Sequence, residues 1–484
     1  MCPHQDAKRI ATSSWDTRMS VKGDSSVSLS SPRHIAVLIF SLSFFATQTV
    51  AAQPLPPVSV AETTTGDGAL DDRVVDQIAA AIAKKVDEDF PVKASYGSKG
   101  FRLETRDGNW QTNLQWRAQF RLTHPTRGDP RQVTNFKIDK EQTSFEARRL
   151  RMKIGGHGYQ PWLKYYFEVD LQPTRNTSDS SSNASARVID WRIDIAKKKE
   201  FGLRVGQWKI DYNRERVDSS GRQQFVERSI ANRVFTIDRQ VGVSFRGHLF
   251  EGTHADLKYF VGIFTGEGRG VANDDNSLMY TGRVQWNFLG RDLDLRQTDV
   301  ERTELPTASL AFGVATNKGA CTRWSSGGCG NLDGFARPGA PETVGQFRVV
   351  QSVQELAYKW QGFSFQQEFH WKRVTDRSRP SSSSRRDSDL FGGYAQAGYF
   401  FNEVIDFVPE ELELAFRYAY VREPNSVNLR KNNKRSEYTV GANWFFSGHN
   451  NKITLDYSHL TLDDNVLARN VSDNRVRLQW DVSF

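Results

Sequence analysis

The sequence predicts an all-β protein, a 16-stranded antiparallel transmembrane β-barrel with a short N-terminal periplasmic helix. Three observations lead there. Apolar and polar residues alternate at period two through most of the chain. Long polar connections alternate with short ones. Aromatic residues are abundant although the chain as a whole is not hydrophobic.

The alternation is clearest at the end of the chain. Val476, Leu478, Trp480, Val482 and Phe484 share one parity; Arg475, Arg477, Gln479, Asp481 and Ser483 share the other. On a strand the two sets face opposite sides. The same pattern recurs many times, and few helices exist to cover so many apolar faces. A cylinder with its apolar side toward lipid and its polar side toward a water-filled lumen accommodates them. A closing strand that ends on Phe also resembles the signal read by the outer-membrane insertion machinery of Gram-negative bacteria, which implies a bacterial outer-membrane location.

Composition narrows the class. Mean hydropathy is −0.59 and hydrophobic residues are 38%, which excludes a bundle of membrane helices. The run Ile35–Val50 is too short to span a bilayer. Twelve Trp, 14 Tyr and 31 Phe suit aromatic belts at two interfaces. The net charge is +8, but no nucleic-acid motif accompanies it, so no nucleic-acid partner is expected.

Residues 1–52 read as a signal peptide. Arg33 flanks the apolar run IAVLIFSLSFFA, and Val50-Ala51-Ala52 offers small residues for cleavage after Ala52. Translation could begin at Met1 or Met19. Residues 53–100 read as a periplasmic linker and short helix. The Pro/Thr/Gly-rich part, 53–69, is flexible in character. In Leu70–Phe90, Val74, Ile78, Ile82 and Val86 form a helical stripe.

Residues 101–484 read as the barrel. Leu114, Trp116, Ala118, Phe120 and Leu122 oppose Gln115, Arg117, Gln119 and Arg121. Leu150, Met152 and Ile154 oppose Arg149, Arg151 and Lys153. Leu163 to Leu171, Ile189 to Ile195, Phe201 to Val205, Val241 to Leu249, Leu257 to Ile263 and Tyr280 to Phe288 continue the pattern. Later strands centre on Leu310, Leu356, Phe365, Tyr399, Phe416, Trp444 and Leu455. Long connections such as Tyr212–Asp238 and Asn317–Gln346 alternate with short ones such as Gly156–Gln160 and Gln361–Gly362. Gly290–Glu304 and Asn402–Glu410 belong to the short set but exceed a tight turn.

The segment CTRWSSGGC, between Cys321 and Cys329, is most simply closed by a disulfide in an exported protein. It contains no His or carboxylate, so no metal site is expected, and no cofactor. No catalytic constellation emerges. Ser458 and His459 are adjacent, so on a strand they point to opposite faces.

The polar parity carries the functional signal. Arg117, Arg121, Arg149, Arg151, Arg204, Arg246 and Arg283 all take it, as do Arg192, Arg417, Arg475 and Arg477. An arginine facing lipid at the midplane would cost about 2–4 kcal/mol, so inward placement is required. One reading makes these residues braces, paired with inward acids such as Glu168, Asp190 and Asp481. The other makes them a pore-lining anion ladder. Arg forks bind oxyanions in a bidentate way and stay charged.

FEARRLRMKIGGHG, FGLRVGQWK and FVERSIANRVFTIDRQVGVSFRG, with YFVGIFTGEG, YTVGANWFF and VRLQWDVSF, resemble the phosphate-selective porins O and P from about Phe101 to Phe484. The resemblance implies a sixteen-stranded barrel, a homotrimer, and a third external loop folded into the pore. It implies small anions as solutes, with bilayer and lipopolysaccharide around the barrel. Tyr212–Asp238 is then the constriction loop, with Arg214, Arg216, Arg222, Arg228 and Arg233, and Arg239 joins the ladder just beyond it. The family's lysine cluster in the fifth external loop has no counterpart, because Asn317–Gln346 offers only Lys318, Arg323 and Arg337. The expected function is passive diffusion of small hydrophilic solutes, with a preference for anions such as phosphate or polyphosphate. Two alternatives stay open: a nonselective or sugar porin, for which Trp208 is the one inward Trp near the constriction, and a non-conducting structural barrel.

Overall fold

The computed structural model describes residues 76–78, 80, 81, 85, 92–125, 143–171, 186–273, 276–332, 335, 343–383, 386–425, 432–464 and 469–484. The expected export signal and its cleavage site lie outside them. So does most of the helix expected over 70–90, of which the six described residues are helical. The chain divides into units Met1–Ala79 and Ala80–Phe484, and the barrel belongs to the second.

Two short strands come first, β1 (Val92–Gly97) and β2 (Gly100–Thr105). The ring then runs through β3 (Gln111–His124), β4 (Ser144–Gly158), β5 (Gln160–Asp170), β6 (Arg187–Ile195), β7 (Gly202–Lys209), β8 (Arg239–Leu249), β9 (Leu257–Phe264), β10 (Met279–Trp286) and β11 (Thr307–Gly319). A small hairpin, β12 (Arg323–Ser325) and β13 (Gly328–Gly330), interrupts it. The ring resumes with β14 (Phe347–Trp360), β15 (Phe363–Asp376), β16 (Asp387–Phe400), β17 (Leu412–Pro424), β18 (Asn432–Ser447), β19 (Asn451–Asp464) and β20 (Arg469–Ser483). These sixteen ring strands pair antiparallel in sequence order. β20 closes the ring on β3, with Leu478 opposite Leu122 and Trp480 opposite Phe120. Phe484 and Trp116 exchange backbone hydrogen bonds of 2.9 Å at the seam. Closure leaves the ring no free edge, which a bilayer requires because lipid offers no hydrogen-bond partners.

The predicted parity holds. On β20, Val476, Leu478 and Trp480 are 44%, 42% and 45% exposed, whereas Arg477, Gln479 and Asp481 are each 2% exposed. The apolar residues are thus the exposed ones, the reverse of a soluble sheet, and they form the lipid face. Trp110, Trp286, Trp360, Trp444 and Trp480 stand exposed near the rim that carries the short connections. That rim also holds Phe484 and is the periplasmic one by the length rule for such barrels.

Two features depart from the simple pattern. First, β1 falls within the stretch 53–100 expected to hold linker and helix. It pairs with β2, and β2 pairs with β3, Phe101 lying opposite Leu114. The β1–β2 turn depends on Gly100, which has φ 80° and where a Cβ would stand 2.2 Å from the Leu114 carbonyl oxygen. Second, the inside is not polar throughout. Val349, Val353, Val374, Leu390, Val421, Leu460 and Leu462 face inward and are buried. They form one apolar cluster with Ile230, Val234, Phe235 and Ile237 of the β7–β8 loop and with Trp324 of the β12–β13 hairpin. Inserted chain covers this part of the wall, so it behaves as a soluble core.

Replacing Leu478 on the lipid face with Arg is expected to lower stability by about 2–4 kcal/mol if the site lies near the midplane, and by less toward an interface. Denaturant titration of the barrel folded in lipid vesicles measures this.

Candidate functional site: the lumen

The β7–β8 loop, residues 210–238, lies inside the ring. It carries two short helices, α1 (Arg214–Val217) and α2 (Ile230–Phe235). Carboxylates from five wall strands hold it. Glu355 on β14 accepts the Arg214 amide at 3.1 Å. Glu368 on β15 accepts the Glu215 amide at 2.7 Å and Asn213 Nδ2 at 3.0 Å. Glu413 on β17 accepts Gln224 Nε2 at 2.7 Å. Glu437 on β18 and Asp456 on β19 accept the Ile230 and Val226 amides at 2.9 and 3.0 Å. A loop that leaves water needs partners for its backbone, and these acids supply them. Basic residues take its carbonyls: Lys372 Nζ donates to Val234 at 2.6 Å and Arg417 to Glu227 at 3.0 Å. Small wall residues let it lie close. A Cβ at Gly398 would stand 2.0 Å from Gln224 Nε2, and one at Gly392 2.5 Å from the Phe235 ring.

A second segment enters from the periplasmic rim. The β10–β11 connection, 287–306, is the first of the two connections too long for a tight turn. Asp294 accepts two hydrogen bonds from Arg214 through its carbonyl, at 2.6 and 2.8 Å, and its carboxylate takes Lys359 Nζ at 3.0 Å. Burial works against ionising that carboxylate, and Lys359 and Arg296 outweigh it, holding it at about 2. Gln297 accepts the Gln224 amide at 2.8 Å. Thr298 meets His449 Nε2 at 3.0 Å. Burial, then Lys452 and Arg222, keep His449 well below the usual imidazole range, so it is neutral at neutral pH.

What remains open is a cavity of ≈ 760 Å³. It is lined chiefly by β3–β7, by Val217–Arg222 of the loop, and by Lys99, His449 and Asn450 at the rim. Nine Lys/Arg and four Asp/Glu line it. The acids opposite hold the loop, so basic residues outnumber acids where the space is.

The predicted ladder divides accordingly. Arg117, Arg151 and Arg204 line the cavity. Arg117 pairs with Asp481 at 3.0 Å and donates to Ser220 Oγ at 3.1 Å, which fastens the loop tip to the β3–β20 seam. Arg151 pairs with Glu168 at 2.8 Å, and Arg204 with Asp194. Arg121, Arg149, Arg239, Arg246 and Arg283 also face inward but do not line the cavity. Arg121 holds Glu227 at 2.7 Å; Arg149 binds Gln119 at 2.8 Å; Arg239 grips Asp190 at 2.7 Å; Arg246 grips Asp211; Arg283 grips Glu355 at 2.6 Å. Each of these five side chains has a partner within reach in the wall or the loop. Of the loop arginines only Arg222 lines the cavity, 3.3 Å from Asp218. Arg214 and Arg228 hold backbone carbonyls, Arg216 pairs with Asp238, and Arg233 lies on α2.

Some lumen groups escaped the sequence reading. Lys99 and Lys209 also line the cavity, but one lies in a turn and the other, at the end of β7, shares the parity of the outward Phe201, Leu203 and Val205. Arg148 has the lipid-face parity, opposite to Arg149 and Arg151, yet it reaches Glu227 at 3.3 Å. A bulge in β4 opposite Gln119 and Phe120 shifts the register there and turns it inward. Such one-residue insertions are not visible in a period-two pattern.

Cys321 and Cys329 are bonded, with Cα atoms 5.7 Å apart. Glu267 from the β9–β10 connection approaches Cys329 Sγ at 3.8 Å, a carboxylate the local sequence does not contain. Trp324 between them is 1% exposed and donates Nε1 to the Gly266 carbonyl at 2.6 Å.

A closed ring with a lipid-facing exterior, a charged lumen and an inserted loop defines an outer-membrane porin. Sequence comparison is more specific. The profile of the phosphate-selective porin O and P family matches residues 120–484, and the chain belongs to that family. No curated protein matches it. Among solved structures, the anion-selective porin from Comamonas acidovorans is 10% identical, with a TM-score of 0.50 over 77% of this chain and 99% of that one. The outer membrane channel DcaP of Acinetobacter baumannii is 12% identical, with a TM-score of 0.48 over 77% and 97%. OmpT, an outer membrane protein of Vibrio cholerae, is 11% identical, with a TM-score of 0.48 over 77% and 97%. At these identities the first of the three supports the fold alone.

Filling the space at Gly398 with Phe is expected to push the loop off the wall and raise single-channel conductance. Truncating Glu437 to Ala leaves Arg417, 1% exposed, without its carboxylate. That is expected to cost about 3–5 kcal/mol, read as a lower temperature of conversion between folded and unfolded bands on gels.

Proposed function

We propose that the protein is a channel for passive diffusion of small hydrophilic anions, phosphate and polyphosphate among them. One observation carries this reading: nine basic against four acidic residues line the remaining lumen. Low-dielectric walls with an excess of one sign concentrate the opposite ion, and fixed donors along the path hand it from one site to the next. The description of the family as phosphate-selective supports the same solute class. The inward acids serve to hold chain and guanidinium groups, which supports a channel rather than a catalyst. Bilayer and lipopolysaccharide would surround the barrel, and the family resemblance favours a homotrimer. Cys321–Cys329 would act as a structural bridge for the external hairpin β12–β13, over the apolar cluster.

Reconstitution in a planar bilayer tests the proposal. In a potassium chloride gradient the reversal potential is expected to show preference for chloride over potassium, and added phosphate is expected to reduce the chloride current. A weakly selective current indifferent to phosphate would make the protein a general porin, and no current would make it a structural barrel.

A further inference from the structure

One lumen arginine is not accounted for by bracing. Arg192 on β6 lines the cavity, with its side chain 23% exposed. Its nearest carboxylate oxygen, on Asp194, stands 3.6 Å from Nε, beyond hydrogen-bond reach. That carboxylate is already taken by Arg204, which donates to it through Nε and, at 3.1 Å, through NH2. Arg192 makes no hydrogen bond among the described residues, and its Nε is buried without a partner. Its guanidinium lies over the ring of Tyr166, 4.4 Å from the centroid.

The pair is built into the sheet. Tyr166 on β5 is directly opposite Arg192. The Tyr166 hydroxyl donates to Glu168 Oε2 at 3.0 Å, which fixes the ring. Glu168 is fixed in turn by Arg151. A guanidinium stacked on an aromatic face is oriented without using its in-plane N–H edges. Those edges are what an oxyanion needs, since two parallel N–H donors match two oxygens. The local charge agrees. Lys164 is opposite Asp194 across the same strand pair, and Arg192 and Arg204 both lie within 4.0 Å of that carboxylate.

We infer that Arg192, held on the face of Tyr166, binds the oxyanion in the lumen and sets the channel's discrimination between oxyanions and halide. This rests on the anion-channel reading. The ligand is defined by paired oxygens on one anionic centre, which phosphate and carboxylates share. Chloride, a single sphere, offers one acceptor atom where the fork presents two parallel donors.

The test is phosphate and acetate block of chloride current through single channels of the full barrel. Variants R192K, R192Q, Y166F and Y166L are compared with the parent, each first confirmed as a folded barrel by its heat-modifiable gel mobility. R192K keeps the charge and loses the fork. It is expected to retain the sign of the reversal potential while the phosphate concentration for half block rises about tenfold, as for the loss of one charge-assisted hydrogen bond. R192Q is expected to reduce both anion preference and block. Y166L, which removes the ring, is expected to weaken block several-fold, and Y166F less so. Block by phosphate but not acetate assigns the site to tetrahedral oxyanions; block by both assigns it to oxyanions in general. An anion-selective, phosphate-blocked parent whose R192K and R192Q variants are blocked at the parental concentration overturns this inference alone. A parent without anion preference overturns the channel reading beneath it.

Discussion

The lumen depends on a single kind of interaction: wall carboxylates accepting hydrogen bonds from chain that has entered the barrel. Glu355, Glu368, Glu437 and Asp456 each take a backbone amide of the β7–β8 loop, and Glu413 takes Gln224. Backbone donors removed from water must be satisfied. An ionised carboxylate is a strong acceptor that a strand can place at any inward position. Without those acids the buried loop amides would lose their acceptors, and only the apolar cluster and the Lys372 and Arg417 contacts would hold the loop inside.

That arrangement sorts the charges of the lumen. Inward acids and bases are mixed along the sequence, yet five acids of β14 to β19, Glu355, Glu368, Glu413, Glu437 and Asp456, are engaged with the inserted loop. The cavity survives on the opposite side, against β3 to β7, where basic groups prevail. Most arginines there are still braces, and Asp194, Glu168, Asp190 and Asp481 each hold one. A braced guanidinium still contributes positive potential, but its donors are occupied. The positive field and the free donors therefore belong to different residues.

Much of the fold was legible in the chain. Period-two alternation gave the ring strands, their inward and outward faces and the closing role of Val476–Phe484, because lipid and water on opposite sides of a sheet impose that period directly. Connection lengths gave the two rims. The site was legible only in part. Inward orientation was correct for Arg117, Arg151 and Arg204, and equally for Arg121, Arg149, Arg239, Arg246 and Arg283. Parity reports which face a residue takes and nothing about the partner it meets there. Arg148 was lost for the same reason, since a bulge breaks parity locally. The inserted connection 287–306 left only a trace, its excess length.

The sequence by itself determined a membrane barrel, its strand faces and an arginine-rich interior, since each follows from the local chain meeting lipid or water. The tertiary structure decided which half of the lumen is filled, which arginines are braced, and that Arg192 stands on Tyr166 without a hydrogen bond among the described residues. Those outcomes come from residues far apart in the chain, such as Arg117 with Asp481 and Glu413 with Gln224. Ring closure and loop insertion bring them together, and no local pattern encodes that.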